Sequence, residues 1–235
     1  MKFTWMKWST LPVALVMIGG VAMAQDQPAP SQQPAPQAQS GSSTPAATPA
    51  PAATPAEKPK PTVAQRKENQ QDRIAQGVKS GQLTAGETAN LETKEAAINK
   101  ETATDRAANG GKLTAAEKKQ VNGQQNQVSK QIYADKHNAT TQHYHNNKVD
   151  QRRENQQDRI AQGVKSGQLT AGETAKLENQ QKGINKQVAA DRKANGGTLT
   201  ASEKKQINKE QNGASKNIHN KKHNAKTQPQ AQPKP

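Results

Sequence analysis

Between Val63 and Thr227 the large apolar residues are few and fall at helical spacing. After Thr84 come Leu91 and Ile98; after Thr114 come Val121, Val128 and Ile132, with polar residues between. Such spacing gathers side chains on one face of an α-helix, whereas a half-buried strand would alternate. The same span contains no proline and is dominated by Ala, Gln, Lys, Glu and Asn, which favours helix throughout. The pattern predicts helices near 64–79, 85–107 and 115–138, followed by the same three again. The expected fold is all-α: two tandem repeats of about three helices each, as helical hairpins with coiled-coil-like packing one way to join them.

The repetition is literal. Residues 68–89, E-N-Q-Q-D-R-I-A-Q-G-V-K-S-G-Q-L-T-A-G-E-T-A, return letter for letter at 154–175, and the match continues with substitutions to K-H-N-A at 136–139 and 222–225. Arg66 and Arg152 set the period at 86 residues, the mark of a duplicated structural unit. Inside each unit an older repeat of 30 residues carries Gly81, Leu83, Thr84 and Glu87 onto Gly111, Leu113, Thr114 and Glu117. The chain thus holds four G-x-L-T-x-x-E corners, the other two beginning at Gly167 and Gly197. Each glycine is placed to end one helix. Thr84, Thr114, Thr170 and Thr200 are placed to cap the next, with Glu87, Glu117, Glu173 and Glu203 closing capping boxes.

The corners share a skeleton with calcium-binding helix-loop-helix motifs. With Gly111 at position 6 of such a loop, Leu113 falls at 8 and Glu117 at 12, but Arg106, Ala108 and Gly110 then occupy the ligand positions 1, 3 and 5. The loop that starts at Gln76 offers Val78 and Ser80 at 3 and 5. The resemblance is to an EF-hand stripped of its ligands, and capping alone accounts for the Gly, Thr and Glu. No cofactor is expected.

The ends are of other kinds. Lys2 and Lys7, an apolar run from Leu11 to Val21, and Ala22-Met23-Ala24 before Gln25 make residues 1–24 an expected secretory signal peptide, hence a secreted or periplasmic protein. No transmembrane span is expected once it is cleaved. Residues 25–62 are a Pro/Ala/Gln-rich linker expected to be disordered, and 228–235 a similar tail. Helical repeats are expected at 63–142 and 152–227, joined by a connector at 143–151. With no cysteine anywhere, disulfides and thiolate metal sites are excluded.

Metal-ligating candidates are weak. His143 and His145 form an H-x-H in the connector, and His219 and His223 lie four apart on one helix face. Tyr133 stands where the first unit would need His219, so that pair is not part of the repeated design. His137 and His223 do repeat, each in K-H-N, where a solvated histidine near a helix C-terminus is expected. Catalysis lacks a cysteine nucleophile and a phosphate loop, and acids such as Glu92 and Glu95 beside Lys94 and Lys100 read as a solvated face. The protein is therefore not expected to be an enzyme.

The expected core of the first unit is thin: Ile74, Val78, Leu83, Leu91, Ile98, Leu113, Val121, Val128, Ile132 and Tyr133. Marginal stability follows, with self-association one remedy. Charge adds the strongest functional hint. Residues 66–142 carry 12 basic and 9 acidic side chains, residues 152–228 carry 16 and 7, so the net charge rises from +3 to +9. Lys182, Lys186, Arg192, Lys193, Lys204, Lys205, Lys209, Lys216, Lys221 and Lys222 are the candidate polyanion contacts.

The G-x-L-T-x-x-E corners and the K-H-N element resemble those of a group of uncharacterised exported bacterial helical-repeat proteins, over 66–142 and 152–228. The resemblance implies a small all-α module and carries no activity. The expected function is an exported binding or scaffolding protein that contacts an anionic polymer or envelope surface through basic helices. The alternative is a periplasmic metal-binding protein using its histidines or degenerate loops.

Overall fold

The structure, a computed structural model, describes residues 60–228, all within one unit spanning Ala56–Pro235. The signal peptide expected at 1–24, the linker up to residue 59 and the tail beyond 228 lie outside the described residues. The described chain is all-helical. The first repeat supplies α1 (Val63–Lys79), α2 (Ala85–Ala108) and α3 (Ala115–Lys136); the second supplies α4 (Lys148–Lys165), α5 (Ala171–Ala194) and α6 (Ala201–Lys222).

Local chemistry places the helix starts. Thr84, Thr114, Thr170 and Thr200 are N-caps, each accepting from the backbone N–H of the glutamate three residues on, whose carboxylate bonds back to the cap. Thr62 caps α1 in the same way with Gln65, and Asn147 caps α4 through Val149 and Asp150. The corner before α2 turns at Gly81, whose φ of 71° lies in the left-handed region that favours glycine.

The two repeats are not separate bodies joined by a connector. α2 lies along α5 and α1 against α4, each more extensively than it packs on a helix of its own repeat. The exchange is reciprocal: Ala161 of α4 packs in the first repeat's core with Ile74, Leu91, Val121 and Ile132, and Ala75 of α1 packs with Ile160, Leu169, Leu177 and Ile218. Ala75 and Ala161 are 86 residues apart, so the contact has the self-complementary character of a two-fold interface. The segments after α3 and α6 add a matching pair of links, Gln142 N–H to Gly81 O at 2.8 Å and Gln228 N–H to Gly167 O at 2.9 Å.

Nine of the ten expected core residues of the first repeat are buried, but Tyr133 is 61% exposed and stacks on His137 at the surface. Buried glutamines supplement the sparse apolar core. Gln70 donates to Gln125 O at 2.6 Å and Gln125 to Val63 O at 2.9 Å, and Gln156 and Gln211 repeat the pattern in the second unit at 2.6 and 2.8 Å. Each amide ties one helix to the main chain of another. A buried polar group so paired avoids the ~1–3 kcal/mol penalty of an unmade bond.

Candidate functional site

The corner glutamates are fully engaged. Glu117 accepts from Thr114 N at 2.8 Å and from Asn109 Nδ2 at 2.8 and 3.0 Å; Glu203 is held likewise by Thr200 and Asn195. At the other two corners the second partner is the asparagine of the K-H-N element: Asn138 donates to Glu87 and Asn224 to Glu173, each at 2.6 Å. K-H-N is thus a latch that fastens the end of one helix to the start of another. The backbone N–H of the cap and the asparagine amide hold Glu117 and Glu203 below the usual carboxylate range.

His137 and His223 end α3 and α6, each with Nδ1 on the carbonyl four residues back, at 2.7 and 2.8 Å. His219 and His223 stack with ring centres 4.3 Å apart, as Tyr133 and His137 do at 4.1 Å. Stacking explains why Tyr133 and His219 interchange across the repeat: either offers a ring face. His143 meets the Thr141 hydroxyl, and the backbone N–H of His145 donates to Asp150 at 3.1 Å. Among the described residues no three His, Asp or Glu side chains converge as metal ligands.

The acids read as a solvated face behave otherwise. Glu92, Glu95 and Glu178 are each 0% exposed. Glu92 and Glu178 are 86 residues apart and accept from Gln71 at 3.1 Å and Gln157 at 2.9 Å. Burial pushes the Glu178 carboxyl up to about 8 and Glu95 to about 7. Burial also raises Glu92 well above its ordinary range, with the fields of Glu95 and Glu178 adding to it against the bond from Gln71. The sequence signal was present: Leu91, Glu95, Ile98 and Thr102 follow one another at steps of four, three and four, which puts Glu95 on the apolar face.

A second interior cluster belongs to the second repeat alone. Asp150, fully buried, accepts from Arg153 at 2.6 Å, Arg192 at 2.8 Å and Asn147 at 2.8 Å. Burial opposes its charge, yet these bonds hold its carboxyl below the ordinary range. Tyr144 covers Arg153, its ring centre 5.2 Å from the guanidinium carbon.

The ten basic candidates divide into groups. Arg192 is committed to Asp150, and Lys222 donates to Gln162 at 3.1 Å. Lys182 lies beside Gly86 of α2 and is half-buried, while Lys221 is half-buried with Glu173 within its field. Lys186, Lys193, Lys204, Lys205, Lys209 and Lys216 are exposed. Of these, Lys205 and Lys209 line a groove of about 1120 Å³ between α5 and α6, floored by Ile184 and Gly183. Lys216 continues the same face of α6, since eleven residues make close to three turns; the stripe runs ~16 Å. Lys204 turns to the adjoining cleft of about 540 Å³ with Lys148, which the charge count had not singled out. In the first repeat the stripe reads Lys119, Gly123 and Lys130, and Glu101 stands where Gln187 lines the groove.

No helix among the described residues is long and apolar enough to cross a membrane. The chain matches no protein-family model, no curated protein and no solved structure.

Proposed function

We propose that this chain is an exported, non-enzymatic binding protein whose second repeat contacts an extended anionic polymer along the α5–α6 groove. One observation carries the reading: Lys205, Lys209 and Lys216 stand exposed in a row on α6, and none forms an ion pair among the described residues. A row of unpaired ammonium groups meets a polymer of regularly spaced sulfates, phosphates or carboxylates and releases its counterions, which favours binding without sequence recognition. Almost no aromatic side chain is available to stack on bases, which favours a glycan or other envelope polymer over single-stranded nucleic acid. The amide-lined groove suits hydroxyl-rich chains, whose oxygens exchange bonds with Gln180, Gln187 and Gln206. Export rests on the signal-like N-terminus.

Because the repeats share their core, charge variants of the whole chain test this better than isolated halves. Lys205→Gln with Lys209→Gln should elute from heparin at clearly lower salt than the parent protein. Lys118→Gln with Lys119→Gln, the same charge loss in the first repeat, should shift elution less. Equal shifts would assign the attraction to net charge alone.

A further inference from the structure

The duplication supplies a template for a side chain that one copy lacks. Asp150 occupies the space between Arg153, Arg192 and the Asn147 amide, and Asn185 donates to neither of its oxygens but accepts from Arg153 at 2.7 Å. Counting back 86 residues, the first repeat keeps both cations as Lys67 and Arg106 and the Asn185 position as Asn99, but it has Pro61 in place of Asn147 and Ala64 in place of the carboxylate. Two further exchanges change the same place. Ala96 stands where the second repeat has Lys182, whose Cδ and Cε would lie 3.5 Å from a Cβ on Gly86; over the matching Gly172 the nearest atom is Ala96 Cβ at 3.9 Å. Thr102 stands where the second repeat has the buried Val188.

The result is a cleft of about 480 Å³ in which Lys67, Arg106 and Asn99 meet the first turn of α5 at Ala171. Thr102 lines it at 9% exposure, and its Oγ1 has no hydrogen-bond partner among the described residues. Among the described residues Arg106 forms no ion pair, unlike its counterpart Arg192. Burial lowers the affinity of Lys67 for its proton, against the fields of Glu95 and Glu92 behind it.

We propose that this cleft binds a small organic monocarboxylate. Its carboxylate takes the place that Asp150 holds in the second repeat, accepting from Arg106, Lys67 and the Thr102 hydroxyl. Its apolar body lies on Val63, Ala96, Ile98 and Ala171. A hydrophobic wall with a few convergent donors is the ordinary form of a small-molecule site, and a paired cation and hydroxyl favour the charged acid over its amide. A dianion such as phosphate is disfavoured twice: it leaves the apolar wall wet, and Glu92 and Glu95 lie behind Lys67.

The test uses the whole chain, titrated with benzoate and with hexanoate and followed by NMR shifts or calorimetry. One saturable site is expected for at least one acid, with benzamide, hexanamide and inorganic phosphate each at least ~10-fold weaker, about 1.4 kcal/mol. Arg106→Gln, a change at the exposed rim, should weaken binding by a similar factor. Ala64→Asp supplies the chain's own carboxylate at the position matching Asp150: it should abolish acid binding and raise the melting temperature, an acid in the first helical turn being favourable in itself. Absence of saturable binding by both acids up to ~50 mM would overturn the proposal. So would binding that survives Ala64→Asp, or phosphate binding more tightly than either acid.

Discussion

Gln181 of α5 donates its side-chain amide to Gln156 Oε1 of α4 at 3.2 Å, in the interior of the second repeat. The first repeat carries Glu95 and Gln70 at the same two positions, and there both Glu95 oxygens and Gln70 Oε1 lack a donor. A protonated Glu95 has the shape of Gln181 and the one O–H that Gln70 needs. The interior is thus built for a neutral acid.

Glu95 and Glu178, raised to about 7 and about 8, hold protons more tightly folded than unfolded. Their contribution is fully present below the ordinary carboxylate range and is lost as pH rises through 7 to 8. Asp150 and Glu173 are shifted the other way, and their contribution is lost as pH falls below that range. The melting temperature should therefore peak near pH ~5 and decline toward pH ~8. Glu95→Gln should flatten that decline and add ~1–3 kcal/mol at pH ~8, at about 1.4 kcal/mol per tenfold change in proton affinity. Destabilisation by Glu95→Gln at every pH would refute a neutral interior.

Gly77 sits in the last turns of α1, where a Cβ would lie 2.6 Å from Leu83 Cγ and Cδ1. Leu83 is 2% exposed and its backbone N–H reaches Gly77 O at 3.0 Å, so neither partner has room to move. Gly77→Ala should destabilise by ~1–3 kcal/mol through overpacking. Gly123, exposed in α3 with nothing within 4 Å of an added Cβ, should instead gain up to ~1 kcal/mol as alanine from helix propensity. Denaturant midpoints of the two variants should move in opposite directions.

The corners are separable from the core. Thr200→Ala removes the acceptor for Glu203 N–H, and a lost cap costs ~0.5–2 kcal/mol. Asn224→Ala releases Glu173 from the latch at the end of α6 and should cost a comparable amount, although Thr170 still caps α5. Melting curves unchanged in both variants would mean that neither cap nor latch contributes.

The corners were legible in the sequence because capping depends on residues three apart: Thr114 and Glu117 reveal their bond by spacing alone. The all-α class and the buried faces of Ile74, Leu91 and Val121 followed from period and composition. What spacing does not carry is which helix meets which. Nothing local marks α2 as the partner of α5, so Glu92 and Glu95 read as surface charges until the repeats are brought face to face. Tyr133 was misplaced for the converse reason: a ring four residues before His137 is used as a stacking surface and not as core. The basic stripe was legible as charge, but its division into Arg192, held by Asp150, and the exposed Lys205 and Lys209 needed the fold.

We propose that Lys205, Lys209 and Lys216 act together as one contact line for an anionic polymer. The most direct test is the affinity of the whole chain for a heparin oligosaccharide, measured across a range of salt concentrations. Log affinity should fall linearly with log salt, and Lys205→Gln with Lys209→Gln should reduce the slope by about 2, roughly one for each lost contact. An unchanged slope in that variant would contradict the account, because the two lysines would then take no part in the contact.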